Sequence, residues 1–272
     1  MSAPATPPPP PPPEEALARL LPADAQPGRR LRHEAAAPVW QGVVWGRLGR
    51  GDLAWAHFDR VHLPALQPWI AAERGRIVRE LGLHAEAEAI EWPALLAATD
   101  PTDAAMLRIS LAADAVGLGD ADRAIRRLGA ATDALAGLRD GPRVARQRLR
   151  LAWVGVEVAW LSGGAASVDG LPWWNEVARA PAFPVDHHWG TDFHAAKGLL
   201  FGGVVRGDPR LLDAAAGLAP PAIAWAVHLA RADVGRVDAE VAAILAWRDI
   251  VPPPPFDAQV RAGPTAARFP AG

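Results

Sequence analysis

The chain has no cysteine and no tyrosine, a single lysine at Lys197, and no long uninterrupted apolar run. Without cysteine there can be no disulfide, no thiolate nucleophile, no iron–sulfur cluster and no Cys-ligated zinc. With one lysine, positive charge is carried almost wholly by arginine. Together with the abundance of alanine, we attribute that bias to a GC-rich genome. No window reaches the roughly 18 clean apolar residues that a membrane span requires. The nearest, Leu151 to Leu161, is short and carries Glu157, so a buried helix is expected there. Pro7 to Pro13 stand where a signal peptide would need a basic segment followed by an apolar one; a soluble, cytoplasmic protein with no membrane partner is the expectation. A formal charge of −2 and a pI near 6.4 give no global attraction to nucleic acid or anionic lipid.

What is present is helical punctuation. Asp100-Pro101 reads as a helix start, with a capping side chain, proline at the first helical position and Asp103 soon after. Apolar stripes flank it on both sides, among them Val39, Trp40, Val43, Val44 and Leu48, then Met106, Leu107, Ile109 and Leu111. Arg143 to Leu161 reads as one helix, and helical character resumes from Thr191 to Val205 and from Pro209 onward. Residues 165–190, rich in Pro, Gly and Trp, read as an irregular insertion. The domain plan is therefore a disordered Pro-rich segment over 1–13, a helical domain over 14–251, and a Pro-rich disordered tail over 252–272.

A phrase recurs along the helical part: glycine, four variable residues, alanine. It occurs as Gly51 to Ala56, Gly82 to Ala87 and Gly119 to Ala124. Return at roughly 30–40 residues is the mark of stacked helical hairpins. Leu118-Gly119-Asp120-Ala121-Asp122-Arg123-Ala124 resembles the turn of a tetratricopeptide repeat. In that family a Leu-Gly pair closes the first helix and a small alanine lets the second approach. Leu81-Gly82 with Ala87 fits the same phrase, and Leu48-Gly49 with Gly51 and Ala56 fits it with a two-residue offset. The match covers residues 37–135 and weakens over 136–250. The resemblance implies an all-α fold, an α-α superhelix of antiparallel hairpins. It further implies a protein–protein interaction module, an adaptor or regulatory scaffold that takes a peptide or partner domain in its groove, with no cofactor. The family has no shared catalytic residues to carry over, so binding is expected ahead of catalysis.

The alternative is a metal-dependent helical enzyme. Asp186 to His194 gathers three of the eight histidines. His187, His188, Asp192 and His194 are the residue types that hold a divalent metal such as Zn, Fe or Mn. Asp192 lies one helical turn after His188, and His194 about two turns after His187. His57, Asp59 and His62 form a second polar set, read as one face of a repeat helix. Most of the twelve tryptophans fall on helical stretches and read as core. Trp173, Trp174 and Trp189 lie in the irregular region and are the candidate partner contacts. The arginines from Arg139 to Arg150 read as a solvated helix face and not as a phosphate grip.

Overall fold

Aspartate or proline sets most of the helix starts in the computed structural model, which describes residues 37–179 and 192–231 together with Pro11. The regular elements are α1 (Ala37–Arg47), α2 (Gly51–Phe58), α3 (Gln67–Glu80), α4 (His84–Ala97), α5 (Pro101–Gly117) and α6 (Ala121–Leu135). They continue with α7 (Pro142–Leu161), α8 (Pro172–Arg179), α9 (Asp192–Arg206), α10 (Pro209–Leu218) and α11 (Pro221–Ala230). Short 3-10 turns stand at Pro64–Leu66 and Ala165–Ser167. No strand occurs among the described residues. Asp100 caps α5 by accepting from the amides of Thr102 (2.7 Å) and Asp103 (3.2 Å). Asp120 caps α6 through the Arg123 amide (2.9 Å), and Asp208 caps α10 through that of Arg210 (2.9 Å).

Five helices end in one way. Gly49, Gly82, Gly119, Gly163 and Gly207 hold φ of 77°, 78°, 75°, 91° and 62°, a left-handed conformation that glycine adopts without steric penalty. In each case the next amide donates back to a carbonyl five residues earlier. The pairs are Arg50 to Trp45 (2.9 Å), Leu83 to Val78 (3.3 Å), Asp120 to Ala115 (2.9 Å), Gly164 to Ala159 (2.7 Å) and Asp208 to Gly203 (2.9 Å). This is the Schellman closure, which satisfies carbonyls left over at a helix C-terminus. It corrects the register read from sequence, because the turn glycine of the first hairpin is Gly49 and its buried alanine is Ala54. Ala56 is only partly buried. The five-residue offset then matches Ala87 and Ala124, all three alanines being fully buried.

The chain thus folds as hairpins α1–α2, α3–α4, α5–α6, α7–α8 and α9–α10, each packed through its two helices. The odd-numbered helices also pack side by side, α1 on α3, α3 on α5, α5 on α7 and α7 on α9, and α11 returns to touch both α9 and α1. One core cluster joins Val39, Val43 and Val44 of α1 to Ile77 and Val78 of α3, and takes in Phe193 and Ala196 of α9 with Ile223 of α11. A second joins α5, α6 and α7 to Val168 and Trp173.

Two expectations change. Residues 165–190 are not wholly irregular, since they hold the 3-10 turn and α8. Trp173 is 1% exposed, and its ring fills the place a side chain at Gly155 would take, 2.9 Å from that glycine's missing Cβ. Trp174 packs edge-on against it at 5.6 Å. The Trp173 indole belongs to the packing between α7 and α8, and Trp174 is partly buried beside it. Trp189 and, apart from Pro11, both Pro-rich ends lie outside the described residues.

A buried charge cluster as the candidate functional site

Helical spacing brings polar residues of four odd-numbered helices to one place. On α3, Glu73, Arg76 and Glu80 recur at three and four residues, with Arg79 beside them. On α7, Arg146, Arg150, Trp153 and Glu157 do the same, and on α9 so do Phe193, His194, Lys197 and Phe201. Contacts across helices join these stripes. The Arg47 guanidinium of α1 lies 5.0 Å from the centre of the Phe193 ring, Arg76 lies 5.8 Å from it, and Arg146 lies 5.7 Å from that of Trp69.

The best-defined part centres on Arg79. Its Nε donates to Asp114 Oδ1 (2.6 Å) and its Nη2 to Glu91 Oε1 (2.8 Å), and both carboxylate side chains are fully buried. His84 Nδ1 stands 3.7 Å from Asp114 Oδ1. Two helical glycines make the room: Glu91 occupies the space of a missing Cβ at Gly75, and the His84 ring that at Gly117. Glycine inside a helix costs about 1 kcal/mol against alanine, and here it admits a polar side chain into a packed interface. Burial drives the Glu91 carboxyl well above its ordinary value; Arg79 opposes this and Asp114 reinforces it. Burial pushes Asp114 the same way, but Arg79 and His84 overcome it and hold that carboxyl below its ordinary range. Of the two carboxyls, Asp114 is therefore held the more firmly as a carboxylate.

The neighbouring part is cationic. Arg150 donates to two neutral acceptors, Ser110 Oγ (2.8 Å) and Gln147 Oε1 (2.9 Å), and makes no ion pair among the described residues. Burial lowers Arg150 to about 10, helped by Arg79, and lowers Arg47 to about 10 as well. The Lys197 amine sits 5.5 Å from the Trp153 ring centre and 6.0 Å from that of Phe201. The His194 ring stacks on Trp153 at 6.0 Å. Burial first, then the charges of Arg47, Arg146, Lys197 and Arg150, hold the His194 imidazole well below its ordinary value, so it is neutral. On the acidic side Glu80 and Glu157 are raised by burial, whereas Arg76 and Arg47 hold Glu73 low against it.

Because the folded pKa of His194 lies below the unfolded one, the unfolded chain takes the proton first on acidification. The contribution is complete above about pH 6.5 and declines below it, by up to about 1.4 kcal/mol per pH unit for one proton. His194→Gln should remove that slope. The check is urea unfolding of both proteins between pH 7 and 5, and a constant difference across the range would refute the assignment.

Of the metal candidates, His187 and His188 lie outside the described residues. Asp192 and His194 both stand in the first turn of α9. Among the described residues no three histidines, aspartates or glutamates gather as a metal site. His57 is buried near the end of α2, whereas Asp59 and His62 follow that helix in an exposed turn, Asp59 pairing with Arg74. Arg143 pairs with Asp103 (2.6 Å) and Arg148 with Asp140, as expected of partly solvated side chains, but Arg146 is buried and Arg150 is half-buried. No helix among the described residues is long and apolar enough to cross a membrane. No protein-family model, no curated protein and no solved structure matches the chain.

Proposed function

We propose that the protein is an interaction module of the tetratricopeptide kind, which takes an acidic segment of a partner protein against the basic surface of its odd-numbered helices. The observation that carries this reading is the placing of Arg150 and Lys197 on the stripes of α7 and α9 that carry Trp153 and Phe201, with the Lys197 amine 5.5 Å from the Trp153 ring centre. Arg150 and Lys197 keep partial exposure and lack an ion pair among the described residues. An extended acidic segment can pair its carboxylates with these two cations. The recurring glycine-closed hairpins support a superhelical stack, the architecture that offers such a surface.

The probe is a fluorescent octaglutamate peptide, titrated into the full chain at low and at physiological salt. Binding that weakens with salt, and that Arg150→Gln weakens by about tenfold or more, is expected, in keeping with loss of a charge-assisted hydrogen bond. Absence of binding at low salt, or equal binding by the variant with its fold intact by circular dichroism, would reject the reading.

A further inference from the structure

We propose that the exposed face of α4 is a docking surface for residues 14–21 of the same chain, which lay a leucine stripe against it. The surface lies on an even-numbered helix, apart from the odd-numbered stripes that the acidic-segment reading uses, and stands independently of that reading.

Every exposed residue of α4 is apolar. They are Ala85, Ala89, Trp92, Pro93, Leu96 and Ala97, with Trp92 45% and Leu96 73% exposed. On a helix these positions share one stripe, since Ala85, Ala89, Pro93 and Ala97 recur every four residues and Trp92 and Leu96 run beside them. The other sides of α4 are taken up by α3 and α5, and Ala87 and Glu91 are fully buried. The neighbouring even-numbered helix is different, because the exposed residues of α6 include Asp122, Arg126 and Asp133. A contiguous apolar patch turned outward marks an interaction site.

Size and tether select the occupant. Six residues on one helix fall well short of the roughly 20–30 residues a side that separate proteins use in a stable interface. A segment of the same chain needs less area, because its tether holds it at an effective concentration of about millimolar. Residues 14–21 lie outside the described residues, and their sequence sets Leu17, Leu20 and Leu21 at the spacing of a helical stripe. So short a helix is marginal in water by itself, and its leucines gain from an apolar cover. Ala85 and Ala89 leave room for them, while Trp92 and Leu96 supply contact area. Residues 22–36 join the segment to α1 and can span up to about 50 Å. Helix α1 packs on α3, and α3 on α4. At about 8–10 Å for each pair, α4 is well within reach.

Charge fits as well. Along the border with α6, Arg127 lies 5.9 Å from the Trp92 ring centre and donates to Glu88 (2.6 Å), which also meets Arg123 (3.4 Å). Arg126, beside them in sequence, is exposed and has no ion pair among the described residues. Glu14 and Glu15 open the leucine segment and bring negative charge to this arginine border.

Because the chain has no cysteine, one introduced thiol reports on one place. In the full chain, Ala89→Cys should react with a maleimide about tenfold more slowly than Ala214→Cys, an exposed position on α10. Adding Leu20→Asp and Leu21→Asp, with cooperative unfolding retained, should bring the two rates together. In a separate variant, Ala18→Cys and Ala89→Cys should be joined by a short bismaleimide within one chain, at a yield independent of protein concentration. Equal rates at positions 89 and 214 without the leucine substitutions overturn the proposal. Protection that survives those substitutions does the same, as does failure to join positions 18 and 89. Protection that fades on dilution, with links formed between chains, assigns the face to a second copy and overturns the choice of occupant.

Discussion

Replacing Arg79 by methionine is expected to cost about 3–5 kcal/mol of folding stability, because the substitution leaves two buried carboxyl groups without their cation. Asp114 and Glu91 are both fully buried, and Arg79 is hydrogen-bonded to each. A domain's whole stability is about 5–15 kcal/mol, so the variant should be marginal at room temperature. Most of that cost is desolvated charge, and little of it is lost attraction. The combination of Arg79→Met with Asp114→Asn and Glu91→Gln should therefore recover a large part of the loss. Denaturant unfolding of the single and triple variants decides it. A triple variant no more stable than the single one would mean that geometry, and not orphaned charge, sets the cost.

Trp173→Ala should cost about 3–5 kcal/mol, the range for deleting a large aromatic side chain from a core. Trp173 is among the largest fully buried side chains, it fits into the hollow above Gly155, and Val177 packs beside it, 2.6 Å from the same missing Cβ. An indole reserved for a partner would sit at the surface, and its loss would spare stability. A loss below about 1 kcal/mol in denaturant unfolding would return Trp173 to the list of candidate partner contacts. Gly155→Ala makes the complementary case, since the added methyl presses on Trp173 and Val177 and overpacking costs about 1–3 kcal/mol.

Much of the helical framework was legible because its signals are local. Asp100-Pro101 marks a helix start by residue type alone, and Gly82 and Gly119 mark helix ends. The later hairpins escaped the phrase because Val168 and Leu212 stand where earlier hairpins have alanine. At the first hairpin, two glycines stand close together. Only backbone geometry shows that Gly49 makes the turn while Gly51 begins the next helix. The helix α8 escaped notice because Pro172 suited both a helix start and a loop.

The candidate site was far less legible. Glu91 and Asp114 look like solvated charges in sequence, and they are buried only because Gly75 and Gly117 leave openings on neighbouring helices. A glycine inside a helical pattern signals close approach, but not which side chain approaches. Net charge misled in the same way. A chain at −2 overall gathers cations on its odd-numbered helices, and a sum over the whole sequence cannot show how charge is divided between inside and outside.

The return of α11 and Phe193 onto α1 determines how the molecule comes apart. An open row of hairpins can shed its terminal units one at a time, each interface failing alone. Here the first and last described helices share a core, and loosening either one strips the cover from Val39, Val43 and Ile223 together. The two extremities consequently melt as one unit. The contact that binds them spans most of the described chain, so closing it costs more loop entropy than closing any one hairpin.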